Sequence, residues 1–142
     1  MTIKEAVLEK AREIKSADSA ARAVWEKTVD TLTEELGGIQ CSYSGEDQVV
    51  LTKEKGTWGP TLVWRGPHRS FTNLELHSPG DGTHKVYSYA SDTPFGTQEN
   101  PRRDHEWIFP GDAAEFMEWV AGRIAAAHAQ TEIWKEIRAA QR

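Results

Sequence analysis

Apolar residues recur at helical spacing near both ends of the chain and alternate at spacing two between them. Ile3, Val7, Ile14, Ala21, Val24, Trp25, Leu32 and Leu36 make the first stripe, which predicts an amphipathic helix over about 2–36. Thr2 and Glu5 fit a capping box at its start, and Gly37 with Gly38 ends it. An unbroken helix of that length would reach roughly 50 Å at 1.5 Å per residue. Ser16 to Ser19 holds cap residues, so a break near 16–19 is an expected way to fit it to a small domain. A second stripe, Phe116, Val120, Ile124, Ala127, Thr131 and Trp134, predicts a helix over 112–140. Pro110 and Gly111 precede it, and Asp112 with Glu115 repeats the capping pattern.

Between these helices the period falls to two. Ile39, Cys41 and Tyr43 alternate with polar neighbours, as a half-buried strand requires. Runs at 48–53, 61–65, 70–77 and 83–90 follow, with a sixth at 105–109, and turns containing Gly, Pro or Asp separate the earlier ones. Strands this closely spaced pair as antiparallel hairpins, because parallel neighbours need a long crossover. The expected fold is a single α+β domain spanning 1–142. It is a two-layer sandwich with one antiparallel sheet of five or six strands, about residues 38–109. A β-meander fills 38–90, a long loop follows at 91–111, and both helices lie on one face.

Composition agrees with that order. Fifteen of the 16 alanines lie in 1–36 and 112–142, whereas ten of the 11 glycines and all six prolines lie in 37–111. A net charge of −5 gives no bulk electrostatic grip on nucleic acid. No apolar run approaches the roughly 20 residues of a membrane span. The opening residues carry no signal-peptide core, and a lone cysteine excludes an internal disulfide framework. These features lead to the expectation of a cytoplasmic protein.

The candidate chemistry sits on the sheet face turned away from the helices. Pairing Glu75 with Lys85 across the 78–82 turn turns Leu74, Leu76 and Val86 inward. It turns Phe71, Asn73, Glu75, Lys85, Tyr87 and Tyr89 outward. With a three-residue turn Leu62 and Trp64 fall inside and Arg65 outside, and a slip of one residue reverses that. Exposed rings mixed with polar groups suit a recognition surface, although cross-strand aromatic pairs also stabilise a sheet by themselves. The 91–110 segment adds Arg102, Arg103 and His105. Adjacent arginines can hold a phosphate or carboxylate, or pair with Glu99, Asp104 and Glu106. Trp58 is a contact candidate in a Gly-rich loop.

Catalytic signals are weak. Glu75 and His77 share a face at spacing two, His77 and His84 flank one hairpin, and Asp104 adjoins His105. No stretch carries a nucleophile elbow, a phosphate loop or a metal-binding motif, so no cofactor and no metal are expected. Cys41 in an apolar alternation is expected to be an inert core thiol. The leading expectation is a non-enzymatic protein–protein interaction module of inhibitor, immunity or adaptor type, using the open sheet face and the 91–110 loop. The alternative is a binder of a small anionic ligand such as a nucleotide. The least favoured is a small hydrolase or nuclease using His77 and Glu75. Trp119 and Ile133 fall off the main line of the last helix, which points to a homodimer through helix surfaces or a sheet edge.

Overall fold

A computed structural model describes residues 1–43, 47–67, 70–89 and 103–141. The chain is α+β. Helix α1 covers Ile3–Leu36 and helix α2 Ala113–Ala140. Between them run β1 (Cys41–Tyr43), β2 (Asp47–Gly56), β3 (Gly59–Arg65), β4 (Ser70–Phe71), β5 (Leu74–His77), β6 (His84–Tyr89) and β7 (Arg103–Phe109).

The strands pair antiparallel in sequence order, but in two sheets, β1-β2-β3-β4 and β5-β6-β7. The expected single sheet of five or six strands is thus divided. The division lies at Thr72 and Asn73. The Thr72 hydroxyl donates to the Leu62 carbonyl (3.0 Å) and accepts from the Leu74 N–H (3.3 Å). A side chain therefore takes bonds that a backbone ladder would otherwise use. Asn73, expected outward, is buried.

Both helices lie over the same side, and one core joins them to both sheets. It contains Ala21, Trp25, Val29 and Leu32 of α1, and Phe116, Val120, Ile124 and Ala127 of α2. From the strands it takes Cys41, Val49, Leu51, Leu62, Trp64, Leu74, Leu76, Val86, Trp107 and Phe109. Trp25 is its hub. Its indole stacks on Phe116 (5.2 Å between centroids, 8°), meets Phe109 edge-on (5.1 Å), and lies 5.8 Å from the His84 ring. Its N–H donates to the Pro60 carbonyl at 2.7 Å.

Helix α1 runs unbroken through the expected break. Asp18 does not cap a new helix there; its carboxylate accepts from Arg22 Nε (2.8 Å) and from the Ser78 hydroxyl (2.6 Å). The length problem is solved by overhang, since residues 1–13 are all exposed. Thr2 caps α1 as expected, accepting from the Glu5 N–H at 3.1 Å. Asp112 behaves differently. Its carboxylate accepts from the Ile108 N–H (2.8 Å), holding the β7–α2 turn, and makes no side-chain cap to α2.

The stretch expected as a turn between the 48–53 and 61–65 runs is mostly strand. Gly56 pairs with Gly59 around a two-residue turn, and Gly59 takes φ +125°, a conformation side chains rarely adopt. Leu62 and Trp64 are buried and Arg65 is exposed, the first of the two expected placings. Val63 between them is buried too, so β3 is covered on both faces at that point. Cys41 is fully buried, and burial pushes its thiol up to about 11. It stays protonated and unreactive at neutral pH.

Two predictions concern this core. Replacing Trp25 with Ala removes contacts to three strands and α2 together, and is expected to cost about 3–5 kcal/mol in denaturant titrations. His84 is fully buried, and neither ring nitrogen has a hydrogen-bond partner among the described residues. Burial lowers its pKa, with a smaller opposing pull from Asp18 and a smaller push from Arg22. The unfolded chain then binds the proton more readily than the folded one. Stability is whole above the ordinary value of 6.5 and falls as the pH drops from there towards the lower folded value. Melting curves from pH 7.5 to pH 5.5 should show this decline, and His84→Phe should flatten it.

Candidate functional site

The outer face of the second sheet gathers four side chains around one carboxylate. Strand β5 carries Glu75 and His77, β6 carries Tyr87 and Tyr89, and β7 carries Arg103. Glu75 Oε1 accepts from Arg103 Nη2 (2.8 Å) and lies 3.0 Å from His77 Nε2. Glu75 Oε2 accepts from the Tyr89 hydroxyl (2.9 Å) and from Arg103 Nε (3.3 Å). The Arg103 guanidinium also covers the Tyr87 ring, 3.9 Å from its centroid. The His77 ring meets Tyr87 edge-on at 6.1 Å.

Strand parity builds this patch. Leu74, Leu76, Val86 and Ser88 alternate inward, so Glu75, His77, Tyr87 and Tyr89 are carried outward. The register differs from the expected one. Glu75 pairs with Tyr87, and Lys85 pairs with His77. The turn explains the slip: Asp81 accepts from both the backbone N–H (3.0 Å) and the hydroxyl (2.5 Å) of Thr83, which keeps Thr83 in the turn. A slip of two leaves the side chains of β5 and β6 on their expected faces; Asn73, just before β5, is the exception. The expected Glu75–Lys85 pair is replaced by Glu75–Arg103, while the Lys85 ammonium lies 3.9 Å from Asp81 and from Glu106.

Arg103 arrives through a bulge. Ser88 pairs with His105 and Tyr89 with Arg103, leaving Asp104 as the extra residue of β7. Without that insertion Arg103 would share the inward face with His105. The segment expected as loop therefore ends in strand, with β7 beginning two residues before the anticipated sixth run. His105 is not part of the outer patch. It stacks on Trp107 (5.6 Å, 13°) beside Trp119 and contacts Asp104 at 3.1 Å. Ser88 lies 3.5 Å from the same His105 nitrogen that Asp104 approaches. A nucleophile relay needs the two partners on opposite ring nitrogens, and Ser88 is fully buried. These three residues form no catalytic triad.

The remaining candidates separate. Trp58 is 47% exposed at the β2–β3 turn, on the helix side. There it edges a cleft of about 360 Å³ with Asp18, Arg22, Glu26 and Ser78. His77 and His84 do not approach each other, since one faces outward and the other lies in the core. The backbone of Phe71 pairs with Trp64; the expected outward placing of its ring lies outside what the structure describes. Arg102 and most of the 91–110 segment lie outside the described residues. Among the described residues no three His, Cys, Asp or Glu side chains are grouped to hold a metal ion.

The electrostatics follow from the geometry. Arg103 is the main cause that holds the Glu75 carboxyl below its ordinary value; burial opposes it, and Tyr89 and His77 add to it. Burial, helped by Glu75, raises the Tyr89 phenol. The patch is therefore an ionised, donor-saturated carboxylate under a paired guanidinium. Glu75 has no proton to give near neutral pH and few free lone pairs with which to take one. Arg103 meets an incoming anion only at the expense of bonds already made.

No protein-family model, curated protein or solved structure matches the chain.

The patch makes a direct prediction. Removing the guanidinium by Arg103→Ala should raise the Glu75 carboxyl midpoint towards its ordinary value in a carbon-detected NMR titration. The stabilisation carried by this carboxylate is present above the ordinary value and lost as the pH falls through the lower folded one. In the variant that acid-dependent loss should become smaller, because the folded value moves towards the ordinary one.

Proposed function

We propose that the chain is a non-catalytic protein-recognition module, of inhibitor, immunity or adaptor type, whose contact surface is the outer face of the second sheet. One observation carries the reading: Tyr87, Tyr89 and Arg103 are ordered on that face by Glu75 before any partner arrives. Tyr and Arg supply most of the strong contacts at protein interfaces. Fixing them in advance lowers the entropy lost on docking. Ile108, an exposed apolar side chain of β7, and the Lys85 and Glu106 pair extend the patch. Both helices pack on the other side, which supports an accessible face here. No helix among the described residues is long and apolar enough to cross a membrane. A cytoplasmic location belongs to this proposal and fits a single, buried thiol.

The hydrolytic reading draws on the 3.0 Å contact between His77 and Glu75, which is close enough for an oriented base. The saturation of Glu75 weighs against it, because the carboxylate serves Arg103 and Tyr89 at the same time. The anionic-ligand reading meets the same obstacle at Arg103.

Affinity capture on the immobilised chain, followed by purification and titration of the captured protein, tests the proposal. Tyr87→Ala and Arg103→Ala should each weaken binding at least tenfold, about 1.4 kcal/mol, with melting temperatures close to wild type. Undiminished binding by both variants overturns the assignment of this face. Turnover of a phosphodiester or ester substrate that His77→Ala abolishes would replace it with the hydrolytic reading.

A further inference from the structure

We infer that α2 carries a second apolar seam, distinct from the one facing the core, and that a second copy of this chain covers it in antiparallel register. The core-facing stripe of α2 is Phe116, Val120, Ile124, Ala127 and Thr131. About a third of a turn around the helix runs another line: Trp119, Gly122, Ala126, Ala129, Gln130, Ile133, Ile137 and Ala140. At 3.6 residues per turn these fall within a sector about 100° wide. The sector holds no charged residue from Trp119 to Ala140. Glu118 and Glu136 border one side and Arg123 the other. Ile133 and Ile137 are 54% and 44% exposed, and Gly122, Ala126, Ala129 and Ala140 are exposed as well. A helix apolar on more than one face is a helix with more than one packing partner. Among the described residues the fold covers the first stripe and, of the second line, Trp119, which packs on Trp107 (4.8 Å between centroids) and Phe116 (6.3 Å); Ile133 and Ile137 stay exposed.

The pattern of sizes identifies that partner. A two-fold axis between Ala129 and Gln130 sets Trp119 opposite Ala140, Gly122 opposite Ile137, and Ala126 opposite Ile133. Each bulky side chain then meets a small one, layer after layer. Self-complementarity under a two-fold is the signature of an isologous contact between identical chains. Gly122 supplies an independent observation. Among the described residues a Cβ there would meet nothing within 4 Å, and its φ is not in the left-handed region, so nothing described in one copy calls for glycine. Mid-helix glycine is unfavourable; close approach of a second helix, with Ile137 seated over the gap, gives it a use. Pairing about six turns of each helix removes on the order of 1,000 Å² in total, the lower end of specific interfaces. The dimer is therefore expected to form in the micromolar range and to dissociate on dilution.

The seam is independent of the sheet-face reading. Sedimentation velocity of the full chain across a dilution series should show a monomer–dimer equilibrium. Ala126→Glu, at an exposed position, should leave only monomer while the circular dichroism spectrum and melting temperature stay close to those of dilute wild type. Register is read separately. Ala126→Cys and Ile133→Cys variants, mixed and oxidised, should form the mixed disulfide far in excess of either symmetric one. A wild-type monomer at the highest concentration overturns the inference. So do a dimer that survives Ala126→Glu, a predominance of symmetric cross-links, and any larger closed or open assembly.

Discussion

Two small sheets that do not share a continuous ladder have to be held as one body, and the Trp25 indole is the interaction on which that depends. Four strands and three strands are each near the minimum for independent stability. The chain breaks the ladder at Thr72 and Asn73, so backbone pairing cannot transmit order from one sheet to the other. Trp25 spans the gap from above. Its N–H holds the Pro60 carbonyl in the first sheet, and its faces and edge contact His84 and Phe109 in the second and Phe116 in α2. A donor, an apolar body and a long reach are needed at one point, and only tryptophan combines them. The charged ties between α1 and the strands, such as Lys53 to Asp30 (2.7 Å), are half exposed and contribute little. His84 is the cost of this arrangement: a polar ring beside Trp25 with neither nitrogen satisfied among the described residues.

How much of this was legible in the sequence depends on which symmetry each feature obeys. Face assignments in β5 and β6 follow from alternation, and alternation survives a register slip of two. Leu74, Leu76 and Val86 were therefore readable as core even though Glu75 pairs with Tyr87 and not with Lys85, whereas Leu62 and Trp64 stayed open to a slip of one. The slip itself was not readable, because it is set by Asp81 binding Thr83 inside the turn. The divided sheet was hidden for a similar reason: a threonine in a β-prone run carries no mark that its hydroxyl will replace ladder bonds. Helix α1 shows the limit of a size argument. Fifty ångströms is too long for the body, but nothing obliges a helix to stay within it, and the exposed residues 1–13 do not.

The candidate site shows the same division. Tyr87, Tyr89, Glu75 and His77 share a face by parity and were visible as a group. Arg103 joins them through a bulge at Asp104, and the same bulge leaves His105 on the other side of the sheet. Adjacent residues of one segment thus have separate surroundings, which a reading of 91–110 as one loop could not resolve. Composition suggested a cationic contact at the paired arginines. In the structure the Arg103 guanidinium already has a carboxylate and an aromatic face. Its role is to organise the patch, and the free valence of that patch lies in ring edges and aliphatic stems.

An organised patch with its charges internally satisfied recognises by shape more than by field. Such a face gains from being presented in more than one copy, because each contact is modest and preordered. The seam on α2 lies in the helical layer, and the β5–β7 outer face is turned away from that layer. Two chains joined there keep both sheet faces exposed, and a partner with two matching surfaces would meet them at a raised effective concentration. The small residues Gly122, Ala126 and Ala129 and the broken polarity of α2 are then understandable together. In the proposed dimer they cost helix propensity or solubility in one chain and return it as a fixed two-fold spacing between the proposed recognition faces. A helix serving only the core of one copy would need the first stripe and nothing more.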